Sequence, residues 1–146
     1  MFINNLTDKM SPEMYKGGTH TDSRGKLFFN NDFDVSEIKR IYVIENENCS
    51  IVRAWQGHKI EQRWFSAIKG SFKIQLIAID NWSLPSKKIE KLNFVLHSDQ
   101  LDVLHIPAGY VSSIQSIEEG AKLLVMANYF LGEIEDDYRF AVDYFE

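Results

Sequence analysis

Between residues 53 and 64 the chain reads RAWQGHKIEQRW, which gathers Arg53, Gln56, His58, Gln62 and Trp64 into twelve positions. These side-chain types can hold a polar anion and move a proton on it. An unperturbed histidine titrates near neutral pH, so His58 is the candidate general acid or base. The planar guanidinium of Arg53 matches a phosphate or diphosphate, donating two hydrogen bonds at once; otherwise it forms a surface ion pair, worth little to stability. Gln56 cannot act as a base, but its amide can donate and accept hydrogen bonds on a polar ligand. Gln62 and Trp64 share a strand face. Trp64 either stacks on a base or sugar or packs in a core or dimer contact, while Trp55, of opposite parity to Gln56, packs. Upstream, Arg40 and Tyr42 lie two apart in IKRIYVIE and so point to one face of a strand. An arginine and a tyrosine together are unusual on a core face, and both are candidates to touch a ligand.

Such residues need a rigid frame. The chain has 146 residues, 45% of them hydrophobic, enough for one domain, residues 1–146, with a real core. A net charge of −5 with interspersed signs speaks against broad nucleic-acid binding. The one cysteine, Cys49, has no partner for an intramolecular disulfide and is expected at a strand end or in a loop. With no signal-peptide pattern in the first residues, this favours a reducing, cytoplasmic setting. No apolar run approaches the roughly 20 residues of a membrane-spanning helix.

The chain reads as many short strands: residues 38–45, 49–55, two within 62–80 broken at Gly70, then 91–97, 101–107, 111–117 and 122–130. In the second strand of the pair, Phe72, Ile74, Leu76 and Ala78 alternate with Ser71, Lys73, Gln75 and Ile77, the period-two pattern of a sheet with one buried face. Strands this short and regularly spaced imply an all-β antiparallel sandwich or barrel, with a jelly roll favoured because it leaves a cavity between its sheets. The tail, residues 131–146, is a candidate for a short helix, and its acidic run EIEDD is expected to be a solvated face. His105 is read as structural, and Tyr110 with Ser112 as lining a pocket mouth.

Two signatures carry a family resemblance. Gln56-Gly57-His58, then Gln62, then Gly70 fits the first cupin motif. IPAGYVSS, residues 106–113, fits the second, with Ser112 in the histidine position. The chain therefore resembles the RmlC-like cupins, whose fold is an antiparallel double-stranded β-helix, or jelly roll. More narrowly, IKRIYVI followed by RAWQGHKIEQ is similar to the dTDP-sugar 3,4-ketoisomerases, and HTDSRGKL, residues 20–27, matches their N-terminal segment. The dTDP-4-dehydrorhamnose 3,5-epimerases share the fold and a late tyrosine similar in position to Tyr129. The resemblance spans about residues 18–130 and extends to the sugar-epimerase-like proteins of bacterial surface-polysaccharide gene sets.

The resemblance implies metal-independent proton transfer next to the ketone of a nucleotide-linked, dTDP-type 4-keto-6-deoxy sugar, with no cofactor, in a homodimer. It implies His58 as the catalytic acid or base, with Tyr129 or Tyr42 as its proton-donating partner. Arg53, Arg40, Gln56 and Gln62 would contact substrate, with Trp64 and Ser112 as further candidates, and Arg24 and Lys26 would contact nucleotide, reaching a neighbouring subunit. A metal-dependent cupin needs about three imidazoles and a carboxylate; here the motif positions hold His58 with neutral Gln56, Gln62 and Ser112. Gln56 also stands where both enzyme families have a catalytic histidine. A second reading therefore stands beside the first: a cupin that binds a sugar nucleotide without turning it over.

Overall fold

The computed structural model describes residues 10–146; residues 1–9, on which the reading of the N-terminus rests, lie outside the described residues. Two five-stranded antiparallel sheets face each other. The first runs in the order β1 (Glu13–Tyr15), β9 (Val103–Ile106), β6 (Arg63–Lys69), β11 (Lys122–Ala127), β4 (Arg40–Ile44). The second runs β12 (Tyr138–Arg139), β5 (Arg53–His58), β10 (Tyr110–Ser116), β7 (Ser71–Ala78), β8 (Leu92–His97). A separate hairpin pairs β2 (Gly18–Asp22) with β3 (Gly25–Phe29).

Alternation decides what fills the space between the sheets. Phe72, Ile74 and Leu76 of β7 turn inward as their period predicts. They meet Phe65 and Ala67 of β6, Leu104 and Ile106 of β9, Tyr110 and Ile114 of β10, and Leu123 and Val125 of β11 in one buried core. The odd residue of the β7 pattern, Ile77, faces the other way and packs with Trp55, Val111 and Phe145. Gly70 joins β6 to β7 with φ of 69°, a left-handed conformation that glycine adopts without steric cost.

Three expectations require correction. The tail holds no helix: residues 131–146 form turns and β12, whose Tyr138 and Arg139 pair with Gly57 and Gln56. The reason is its period of two. Asp137 and Arg139 alternate with Tyr138 and Phe140, and Phe140 exchanges both backbone hydrogen bonds with Trp55. The aromatic half of that alternation then closes over the outside of the second sheet, with Phe140, Tyr144 and Phe145 around Trp55. Second, the strand expected over 49–55 is displaced to Arg53–His58, because pairing to β10 and β12 carries the polar stretch into the sheet regardless of its weak strand propensity. Third, the run EIEDD is not simply a solvated face, since Asp136 is 5% exposed.

β5 passes so close to β10 that only glycine fits at position 57. A Cβ there would lie 2.1 Å from the Tyr110 carbonyl oxygen and 2.6 Å from Val111 Cα, both backbone atoms. Gly57→Ala is therefore expected to lower stability by about 3 kcal/mol, the upper range for overpacking, read as a fall in the midpoint of chemical denaturation.

Candidate active site

The cavity between the sheets has a volume of about 790 Å³, within the range of small-molecule sites. Strand pairing explains which side chains reach it. On β10, Tyr110, Ser112 and Ile114 face inward, and their partners on β5 are His58, Gln56 and Arg53. Gln56 and Arg53 are three residues apart, yet Ser112 and Ile114 opposite them are two apart. The extra residue on β5 makes a bulge, which brings Arg53 onto the same face as Gln56 and His58. Across the cavity, Arg40 and Tyr42 line it from β4, and Arg63 from β6.

His58 is held from one side. Its Nδ1–H donates to the Asp136 carbonyl at 2.8 Å, which leaves Nε2 without a proton in the neutral ring. The Asp136 carboxylate accepts the backbone N–H groups of Lys59 at 3.0 Å and of Ile60 and Glu61 at 2.8 Å. One residue thus fixes both the ring and the turn after it. Burial pushes the His58 pKa below its ordinary value and the nearby Arg63 guanidinium adds to this; the Asp136 hydrogen bond and Glu61 oppose both without reversing them. The imidazole is consequently neutral at pH 7 and able to take up a proton.

Arg63 links the rest. It donates to Glu61 Oε1 at 2.6 Å and 3.0 Å and to the Tyr42 hydroxyl at 2.7 Å. Since the Tyr42 oxygen accepts from Arg63, its own hydrogen is available to a ligand oxygen. Arg40 stacks over the Tyr42 ring at 4.6 Å, a cation–π contact. Arg53 is aimed by Asn46, whose Oδ1 accepts from Nε at 2.7 Å. Among the described residues no ion pair engages Arg40 or Arg53, whereas Arg63 pairs with Glu61 and Arg139 with Asp137.

Not every residue expected at the site is there. His58, Tyr42, Arg53, Arg40, Gln56 and Ser112 line the cavity. Gln62 and Trp64 do not. They do share a face, but it is the outer one, where Gln62 Oε1 accepts from His105 at 2.6 Å and Trp64 stacks on His105 at 5.0 Å. Phe65 and Ala67 occupy the inner parity of β6, which leaves residues 62, 64 and 66 outside. Tyr129 is not among the lining residues either; its ring lies 6.0 Å from Lys39 Nζ. Arg24 and Lys26 sit on the exposed β2–β3 hairpin, Arg24 paired to Asp22 at 2.7 Å. Four functional candidates went unread in the sequence: Glu61, Arg63, Asp136 and Asp137. A signal existed only for the first two, as opposite charges flanking Gln62.

The family model described as WxcM-like, C-terminal matches residues 10–145, nearly the whole chain. The chain belongs to this family. Among solved structures, the 3,4-ketoisomerase QdtA from Thermoanaerobacterium thermosaccharolyticum shares 25% identity over 92% of this chain and 91% of its own, with a TM-score of 0.69. A 3,4-ketoisomerase from Helicobacter canadensis shares 23% over 94% and 96%, with a TM-score of 0.70. A dTDP-4-dehydrorhamnose 3,5-epimerase from Bacillus anthracis shares 12% over 92% and 79%, with a TM-score of 0.69. No curated protein sequence matches. The fold is thus the RmlC-like cupin jelly roll that the two motifs imply, and this WxcM-like chain carries Gln56 and Ser112 at two of its motif histidine positions.

Removing the Asp136 carboxylate tests the clamp. Asp136→Ala leaves three backbone N–H groups without their acceptor and is expected to cost about 3 kcal/mol. Amide hydrogen exchange should accelerate at residues 59–61 first, and a variant that protects them as well as the parent would rule the clamp out.

Proposed function

We propose that this chain is an isomerase or epimerase of a nucleotide-linked 4-keto-6-deoxy sugar, the nucleotide being dTDP. The observation that carries this reading is one cavity in which a neutral His58, held through Nδ1, faces the same space as the Tyr42 hydroxyl and two arginines that pair with no carboxylate among the described residues. The arginines suit the diphosphate. His58 takes a proton from the carbon next to the ketone, the electron pair moves into the carbon–carbon bond, and the Tyr42 hydroxyl donates to the developing oxyanion. The donor set favours a metal-independent route, because His58 is the one imidazole lining the cavity, beside neutral Gln56 and Ser112. The relatives lend support: a QdtA variant was crystallised with TDP-4-keto-6-deoxyglucose, and the B. anthracis epimerase with TDP and pyrophosphate. Such chemistry belongs in surface-polysaccharide synthesis in the cytoplasm.

Gln56 favours a second reading, a sugar-nucleotide binder without turnover, since an amide cannot replace a histidine as a base. Incubation with dTDP-4-keto-6-deoxyglucose in D2O, followed by NMR, separates the two. Deuterium at carbon 3 alone indicates isomerisation or 3-epimerisation, and at carbons 3 and 5 indicates 3,5-epimerisation. Binding of dTDP without exchange supports the binder. His58→Ala should slow exchange by about 100-fold or more. Because the His58 pKa is depressed and the base form is the neutral one, kcat/KM should hold as pH drops through about 6.5, the ordinary histidine value. It should fall only at lower pH. A fall centred above that value would count against His58 as the base.

The same reading extends to a homodimer. The β2–β3 hairpin forms its own two-stranded sheet, and an isolated hairpin is marginal in water. Its Leu27 and Phe28 are exposed, as are Ile41 and Val43 of the edge strand β4. A second copy covering these residues would also bring Arg24 and Lys26 to a neighbouring cavity. Sedimentation should show a dimer that Phe28→Glu shifts toward monomer; a monomeric parent would refute the pairing.

A further inference from the structure

We propose that Asp137 is the second proton-transfer group of this site, carrying the hydroxyl proton while His58 carries the carbon-bound one. The inference rests on the isomerase form of the reading above. Exchanging a ketone with a neighbouring alcohol moves two protons, one between carbons and one between oxygens. His58 can serve only one of them, since its Nδ1–H is committed to the Asp136 carbonyl. Gln56 can serve neither.

Besides Glu45, which pairs with Lys122, three carboxylates among the described residues line the cavity, and two of them are already occupied. Glu61 takes both hydrogen bonds from Arg63 on one oxygen and lies 3.5 Å from His58 Nδ1. Asp136 is buried under three backbone N–H groups. Asp137 is different. It accepts one N–H from the Gln56 amide at 2.8 Å and one from Arg139 at 3.2 Å, and its side chain is 50% exposed. A carboxylate has about four acceptor positions, so Asp137 keeps room for a ligand hydroxyl. It stands on the cavity face because it is two residues from Arg139, which pairs directly with Gln56. Gln56 therefore positions a carboxylate where its own side chain has no proton chemistry. Partial burial works to raise the Asp137 pKa, but the Gln56 hydrogen bond and the Arg139 charge outweigh it and hold it below the usual carboxylate range, with His58 adding in the same direction. The group is ionised at neutral pH and able to accept a proton.

The steps balance within the substrate and these two residues. His58 Nε2 takes the proton from carbon 3, and the electron pair forms an enediolate with negative charge on oxygen 4. Asp137 then takes the proton from oxygen 3, whose O–H pair becomes the new carbonyl. The enediolate double bond takes the proton back from His58 at carbon 4, and oxygen 4 receives the proton held by Asp137. Nothing is oxidised or reduced overall, and both residues end as they began.

This division of labour is separable by experiment. With dTDP-4-keto-6-deoxyglucose in D2O, exchange at carbon 3 needs His58 and Tyr42 but not Asp137, whereas formation of the 3-keto product also needs Asp137. Asp137→Asn should form product about 100-fold more slowly, with carbon-3 exchange and dTDP affinity within about threefold of the parent. The side chain is half exposed, so its replacement leaves the core intact, and Asp137→Glu, which keeps a carboxylate, should restore at least about a tenth of the product rate. Product formation by Asp137→Asn at the parent rate would overturn the assignment, as would equal loss of exchange and product. A parent protein that binds dTDP but neither exchanges nor forms product would overturn the isomerase reading itself, and this inference with it.

Discussion

A single buried carboxylate ties the site together. Asp136 gathers the N–H groups of residues 59–61 on its side chain and the His58 ring on its carbonyl. Residues 59–61 are the turn between β5 and β6, strands that belong to opposite sheets. The distance between those sheets at the cavity therefore depends on a residue from the C-terminal segment. Burying a carboxylate is costly unless its oxygens are matched by donors, and three backbone N–H groups supply them. The same bonds meet the complementary need of the turn, whose amides have no strand partner. Tautomer follows from geometry: a carbonyl can only accept, so Nδ1 must carry the proton and Nε2 is the basic nitrogen.

The arrangement of charge obeys the same economy. Among the described residues four arginines line the cavity, and they divide into two pairs. Arg63 and Arg139 each meet a carboxylate, while Arg40 and Arg53 are restrained by a tyrosine ring and an asparagine oxygen. Neither restraint neutralises charge. Arg40 and Arg53 keep their full electrostatic attraction for an anion, and the Asn46 contact leaves the terminal nitrogens of Arg53 to bind it. Arg63 is almost buried, with its side chain 12% exposed, and without Glu61 it would be an uncompensated internal cation. Its pairing keeps the surroundings of His58 close to neutral, so that burial dominates the shift of the ring.

Much of this was legible in the sequence, because period-two alternation is a local property. It marked the core face of β7, and the repeated short strands marked the jelly roll. The two cupin motifs located His58, Arg53 and Gln56. What alternation cannot give is which of two faces meets the cavity when both are polar. In QRWFSAIK, Gln62 and Trp64 carry the more ligand-like chemistry, yet Arg63 and Phe65 turn inward, since β6 must present Phe65 and Ala67 to the core. Likewise, the bulge that returns Arg53 to the cavity face is a property of the β5–β10 pair and not of either strand alone. The hairpin β2–β3 is not legible because GTHTD and GKLFF show no alternation of polar and apolar residues, and the two strands pair with each other apart from either large sheet.

The acidic tail was misread for a related reason. Five residues of EIEDD look alike as composition, but their positions differ by one step in a period of two. Asp136 lies buried against the β5–β6 turn; Asp137, one residue on, lies half in solvent on the cavity face beside Gln56. Adjacent identical residues thus take opposite places, one buried under backbone amides and one on the cavity face. Glutamine at position 56 then has a physical counterpart at the far end of the chain. An amide can donate to a carboxylate without competing for its charge, whereas a protonated imidazole would form an ion pair with it and lower its basicity further. With glutamine at position 56, the Asp137 carboxylate is held in place by a neutral donor and keeps acceptor capacity toward the cavity, which is the condition for a carboxylate to take part in proton transfer at all.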